Sequence, residues 1–130
     1  MTVLVTGIVI GFLFNRLLCE MDMKLYNEKI DSLENQLRYT KLAVYADSVC
    51  GRKISFSTLI NDISYIDSVS KVNGIDYKLV VAIISKESGW TNENLMQVMP
   101  TRIRSLGYKD WDMSRHFSID CGVKTLRYSY

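Results

Sequence analysis

The sequence predicts a mainly α chain in three parts, and three observations carry that prediction. Residues 2–14 hold no charge and are almost wholly apolar. Residues 20–47 contain neither Gly nor Pro and repeat apolar side chains at alternating three- and four-residue spacing. Beyond 48 the pattern breaks into short helical blocks, punctuated by Gly, by Asn73-Gly74 and by the single proline, Pro100. The expected layout is an N-terminal membrane helix at 1–19, a long helix and linker at 20–54, and a small helical domain at 55–130 with at most a small β element. A chain of 130 residues has room for one such domain and no second core.

Composition narrows the function classes. An apolar share of 48% with 23% charged residues is that of an ordinary globular chain. The net charge of +2 is too small to call for nucleic acid, and no dense Lys/Arg run with interleaved aromatics occurs. Cys19, Cys50 and Cys121 are far apart and show no CxxC spacing, and His116 has no Cys or His near it in sequence. No metal and no cofactor are therefore expected. One intramolecular disulfide remains open, and spacing does not place it.

Taken in order, the apolar run at 2–14 is extended by Leu17 and Leu18 past Asn15 and Arg16. Its length reaches the lower limit for crossing a bilayer, about 17 residues, if Asn15 and Arg16 sit at the interface with the Arg stem snorkelling. A signal peptide is the rival. No basic region precedes the run and no small-x-small cleavage pattern follows it, so an uncleaved anchor is expected. Arg16, Lys24 and Lys29 follow the run, and by the positive-inside rule they would hold the remainder on the cytoplasmic side.

The helix over 20–47 carries Met23, Tyr26, Ile30, Leu33, Leu37 and Val44 on one stripe, with Thr40 as its weak member. That is a heptad seam of about three repeats. Two outcomes are open: self-association of copies through residues 23–44, or packing of the stripe on the C-terminal domain. Residues 48–57, with Cys50-Gly51-Arg52-Lys53, form the expected linker. A helix follows over 58–72, with Leu59, Ile63 and Ile66 on its apolar face. Gly74 is suited to stop it in the left-handed conformation. Asp76 can cap the next helix, 77–87. That helix carries Leu79, Val80, Val81, Ala82, Ile83 and Ile84 in a row and is expected to be buried on most sides.

Glu87 ends this apolar helix. A lone carboxyl group there is where burial can favour the protonated form, which a general acid near neutral pH requires. A polar turn leads to Leu95-Met96-Gln97-Val98-Met99, closed by Pro100. A short helix over 101–106 ends at Gly107. A loop with Trp111 follows, and then a last helix capped by Ser114 or Ser118.

Glu87-Ser88 followed by Leu95-Met96-Gln97-Val98-Met99-Pro100-Thr101 resembles the signature of the lytic transglycosylase family with a lysozyme-like fold. Ser118-Ile119-x-x-Gly122-Val123-x-x-Leu126 is similar to that family's Asn-Ile-x-x-Gly-x-x-x-Leu helix, with Ser118 standing where the family has Asn. The likeness runs from about residue 63 to 130. Two further differences are visible. The loop between Glu87 and Leu95 is shorter than the family's, with Asn94 where a glycine is expected. The family also continues with another helix and an Ala-Tyr-Asn-x-Gly motif.

The resemblance implies a reduced lysozyme-like helical domain whose central helix ends in Glu87. It implies cleavage of the β-1,4 bond between N-acetylmuramic acid and N-acetylglucosamine in a peptidoglycan glycan strand. One carboxylate suffices for that chemistry. The acid protonates the bridging oxygen, then takes the proton from the muramic acid 6-hydroxyl as it attacks its own anomeric carbon. High effective molarity replaces a positioned water, and a 1,6-anhydro end results. A second carboxylate across a water-sized gap (Glu93, Asp110 or Asp112) would bring hydrolysis back. Ser88, Met96, Gln97 and Trp90 are the implied substrate-binding residues: Ser88 and Gln97 by hydrogen bonds to the acid or the sugar acetamide, Met96 by lining the cleft, Trp90 (or Trp111) by stacking. The domain would face the cell wall from the inner membrane, or belong to a phage virion. The alternative is a non-catalytic peptidoglycan-binding or structural module derived from the same fold.

Overall fold

The computed structural model describes residues 2–109 and 114–129, with side chains from residue 5 onward. The chain is mainly α, and no strand occurs among the described residues. It divides into two units, Met1–Arg38 and Tyr39–Tyr130.

A single helix, α1, runs Thr2–Val49. The expected anchor and long helix are therefore one element, and the unit boundary falls inside it rather than at 54/55. Among the described residues no helix is long and apolar enough to cross a membrane. The membrane helix expected at 1–19 is thus unsupported; the first residues of its apolar strip, 1–4, lie outside the described side chains.

Unit 2 begins with the end of α1. Tyr39, Leu42, Ala43, Ala46 and then Cys50 turn one face into its core, with Ala43 and Ala46 fully buried. Val44, the late member of the heptad stripe, is exposed; it lies about 150° round the helix from that face at 100° per residue. Of the stripe, Val44 is the member that belongs to unit 2, and it does not enter that unit's core. The expected linker is a tight turn, with Gly51 at φ 64 and Arg52 at φ 61.

Helix α2, Phe56–Asn73, starts at Ser55, whose Oγ accepts from Thr58 N, and ends at Gly74 in the left-handed conformation, φ 68. Its residues Leu59, Ile63 and Ile66 are fully buried. It packs against both α5 and α3, the two main helix contacts of the unit, so α2 is the central helix. Helix α3, Tyr77–Glu87, is capped by Asp76, whose carboxylate accepts from Lys78 N, a cap worth about 1 kcal/mol. It buries Val80, Val81 and Ile84, while Leu79 and Ala82 are exposed. The expectation of burial on most sides fails because α3 packs chiefly on α2 alone.

Helix α4, Pro100–Ser105, takes Pro in its first turn, where a missing N–H costs nothing. Helix α5, Arg115–Ser129, buries Ser118, Ile119, Cys121, Gly122 and Val123. Ser114 Oγ accepts from Phe117 N at 3.1 Å, so Ser114 is the cap, and Ser118 is left for another task.

Candidate functional site

The end of α3 is closed by its own backbone. Ser88 N–H and Gly89 N–H both donate to Ile84 O, at 3.1 Å each. Ser88 Oγ donates to the same carbonyl at 3.2 Å. Ser88 is thereby a helix-end hydroxyl, and Glu87, the last helical residue, is exposed. The apolar enclosure expected from Ile83 and Ile84 is not there.

Gly89 and Trp90 follow in the left-handed region, at φ 55 and φ 67. This double reversal drives the Trp90 indole into the core, where it is 0% exposed and donates from Nε1 to Ser85 Oγ at 2.9 Å. An enclosed indole has no face for a sugar ring, so stacking by Trp90 is not what this geometry provides. Trp111, Asp110 and Asp112 lie outside the described residues.

The strip 95–98 is held by a residue that sequence reading treated only as a departure. Asn94 Oδ1 accepts from Val98 N at 3.0 Å, and Asn94 Nδ2 donates to Val98 O at 3.2 Å. Asn94 Oδ1 also accepts from Ser118 Oγ at 3.0 Å. Ser118 Oγ in turn accepts from Met96 N at 3.1 Å. Met96 is buried against Gly122: a Cβ at position 122 would stand 2.8 Å from Met96 Cβ, so only glycine permits this approach. Gln97 is exposed, adopts φ 51 and donates from Nε2 to Asn94 O at 3.0 Å. Its side-chain carbonyl can accept from a ligand N–H.

A second polar cluster lies on α2 and α5. Asp62 is 2% exposed. Its carboxylate meets Arg115 Nε at 2.7 Å and Nη2 at 2.6 Å, and His116 Nε2 at 3.4 Å. His116 stacks on Tyr65 at 4.1 Å, and Arg115 Nη1 donates to Trp90 O at 2.9 Å. The buried carboxylate of Asp62, the ring stack and the bond to Trp90 O make this a brace tying α5 to α2 and to the loop after α3. Glu93 opens on the groove beside it, lined also by Asn61 and Ser114, and Glu87 is not among that groove's lining. The signal for Asp62 was in the sequence: a carboxylate between Leu59 and Ile63 on an apolar face, the same cue that singled out Glu87.

A third brace joins the loop before α5 to that helix. Lys124 Nζ donates to Tyr108 Oη at 2.6 Å and to Asp120 Oδ2 at 2.9 Å. Those two hydrogen bonds, Tyr108 first, hold the Lys124 ammonium above its usual range. Burial pushes the neighbouring Cys121 thiol up to about 11, with Asp120 adding to the shift.

No family model, no curated protein and no solved structure matches this chain.

Proposed function

We propose that this chain cleaves the glycan strands of peptidoglycan as a lytic transglycosylase, with Glu87 as acid and then base and a 1,6-anhydromuramic end as product. The observation that carries the reading is the bond between Asn94 and Ser118. These are two positions at which the chain departs from the family pattern, one on the loop and one on α5. The family has glycine and an amide; here the amide stands on the loop and a hydroxyl on the helix. The two departures are complementary halves of one contact, and that contact holds Met96 and the strip that carries Gln97.

In this reading an exposed Glu87 meets the bridging oxygen directly, and the bound glycan supplies the enclosure that the helix does not. Gln97 accepts from the acetamide N–H of the sugar. Met96 fixes the strip from below, and Ser88 holds the helix end that carries Glu87. Trp90 supports the loop from the core. The alternative, a non-catalytic module that only holds peptidoglycan, keeps the same contacts and lacks turnover.

The proposal includes a lipid attachment. Ile8, Val9, Ile10, Phe12, Leu13 and Phe14 are all exposed and spread over about two thirds of the circumference of α1 at 100° per residue. An apolar face that wide is one that something must cover, and a bilayer covers all of it at once. Deleting residues 1–18 should release the protein from co-flotation with lipid vesicles.

Purified cell-wall sacculi test the chemistry. Wild type should release 1,6-anhydromuropeptides, and Glu87→Gln, similar in shape, should keep its circular dichroism and release none. Release of reducing muramic ends would turn the reading to hydrolysis. Sacculus binding with no release by wild type would replace the enzyme with the binding module.

A further inference from the structure

Within unit 1 the seam of α1 extends one step further toward the N-terminus than the apolar residues alone define. Counting back from Met23, Tyr26, Ile30, Leu33 and Leu37, the preceding seam position is Cys19, and the one before that is Arg16. Cys19 is a free, exposed thiol, and the five apolar members are exposed as well. Arg16 is engaged with Glu20 at 3.5 Å and ends the apolar seam with a charge.

We infer that a second copy of this chain docks along this seam, parallel and in register, so that the Cys19 residues of the two copies face one another. Three features select this occupant and this orientation. Ile30 falls at the first core position of its heptad and Leu33 at the fourth, the arrangement that favours two strands. The flanking positions are complementary: Lys29 of one copy faces Glu34 of the second, while Asp22 faces Asn27 and Gln36 faces Lys41, so no like charges meet at these three pairs. In the last turns of α1 the face that packs into the domain is Leu42, Ala43 and Ala46, and Val44, in line with the seam, stays exposed.

The thiol reports the orientation. Helix axes 8–10 Å apart with Cα atoms on a radius of 2.3 Å bring directly facing core positions to about 3.4–5.4 Å, which overlaps the disulfide range of about 4.4–6.8 Å. Antiparallel pairing over 19–37 would separate the two Cys19 residues by about 27 Å at 1.5 Å per residue. This inference stands apart from the chemistry at Glu87 and survives the loss of that reading.

The experiment uses the full chain in a mild non-ionic detergent, with oxidised glutathione as oxidant. The two Cys19 thiols give up two protons and two electrons, one S–S bond forms between the copies, and the glutathione disulfide leaves as two thiols. Sedimentation should show a dimer, and a non-reducing gel should show most of the protein cross-linked. Cys19→Ser should abolish the cross-link and keep the dimer; Cys50→Ser and Cys121→Ser should change neither. Ile30→Asp with Leu37→Asp should give a monomer of unchanged helicity and cut cross-linking at least tenfold. Lys29→Glu should weaken the dimer, and adding Glu34→Lys to it should restore it. A monomeric wild type overturns the inference. So does a dimer that fails to cross-link, or one that persists in the Ile30/Leu37 double variant and is therefore held by its apolar end.

Discussion

The two stretches of α1 are one continuous helix, yet they are stabilised by different means. Through residue 38 every large apolar side chain described, from Val5 to Leu37, is exposed. From Tyr39 on, one face is in the core, and the residues that enter it deepest are the small ones, Ala43 and Ala46. In the same stretch Tyr39 Oη donates to the buried Asp67 carboxylate of α2. The lesson is that periodicity tells which side chains share a face and not what covers it. The regular stripe of large residues is left bare, and an unremarkable pair of alanines does the packing.

Four outcomes would break or sharpen that contrast. The largest is expected from Trp90→Ala, which removes a fully buried indole and should cost unit 2 about 4 kcal/mol. Dispersed methyl resonances of Ile63, Ile66 and Ile84 should collapse in NMR spectra while those of Leu17 and Leu25 keep their positions. Loss of both sets together would mean that the units do not fold separately.

Asp62→Asn should come next, at about 3 kcal/mol, because it strands the Arg115 guanidinium beside a neutral amide. The midpoint of urea denaturation reads this directly. An effect below about 1 kcal/mol would show the cluster to be solvated rather than a brace.

Gly122→Ala should cost about 2 kcal/mol by overpacking. The far end of Met96 can swing away, but its Cβ cannot, so the strip 95–98 must move. Shifted amide resonances at Met96 and Val98, with little change in α2, are the expected signature.

The smallest effect separates the units by pH. The Cys121 and Lys124 pKa values are both raised on folding. A raised folded-state pKa gives stability that is intact below the unfolded value and is lost as pH climbs through the folded one. Unit 2 should therefore lose stability progressively from about pH 9 upward, through the Cys121 value near 11. Cys121→Ala should flatten the first part of that slope, and Leu33→Ser in unit 1 should leave the whole curve unchanged. A slope untouched by Cys121→Ala would assign the alkaline loss elsewhere.

Local chemistry in the sequence was legible where it acts on its own backbone. Asp76 caps α3, Gly74 closes α2 in the left-handed conformation, Ser114 starts α5, and α3 ends at Glu87 as its apolar run predicts. What was not legible needed a partner element. The run of Leu79 to Ile84 looks buried all round, but only knowledge of how few helices surround it shows Leu79 and Ala82 in the open. Trp90 reads as a sugar platform by resemblance, although packing is the commoner use of an aromatic; two consecutive left-handed residues put it in the core, and Trp at such a φ has no sequence cue. Asn94 and Ser118 lie 24 residues apart with no cue in the sequence that they meet, and only the structure shows their hydrogen bond.

Gln97 carries a consequence of its own. Its φ of 51 is a conformation that glycine or asparagine adopts at lower cost, by about 1 kcal/mol. The side chain is exposed and its hydrogen bond stays within its own loop, so it offers little to the fold in return. A sequence selected for stability alone would have glycine at this position. Gln97→Gly should leave the melting temperature level or slightly higher, and if the loop binds glycan it should weaken that binding. In the proposed reading, position 97 is a place where this small domain trades robustness for recognition, and a stability-guided redesign would erase that contact first.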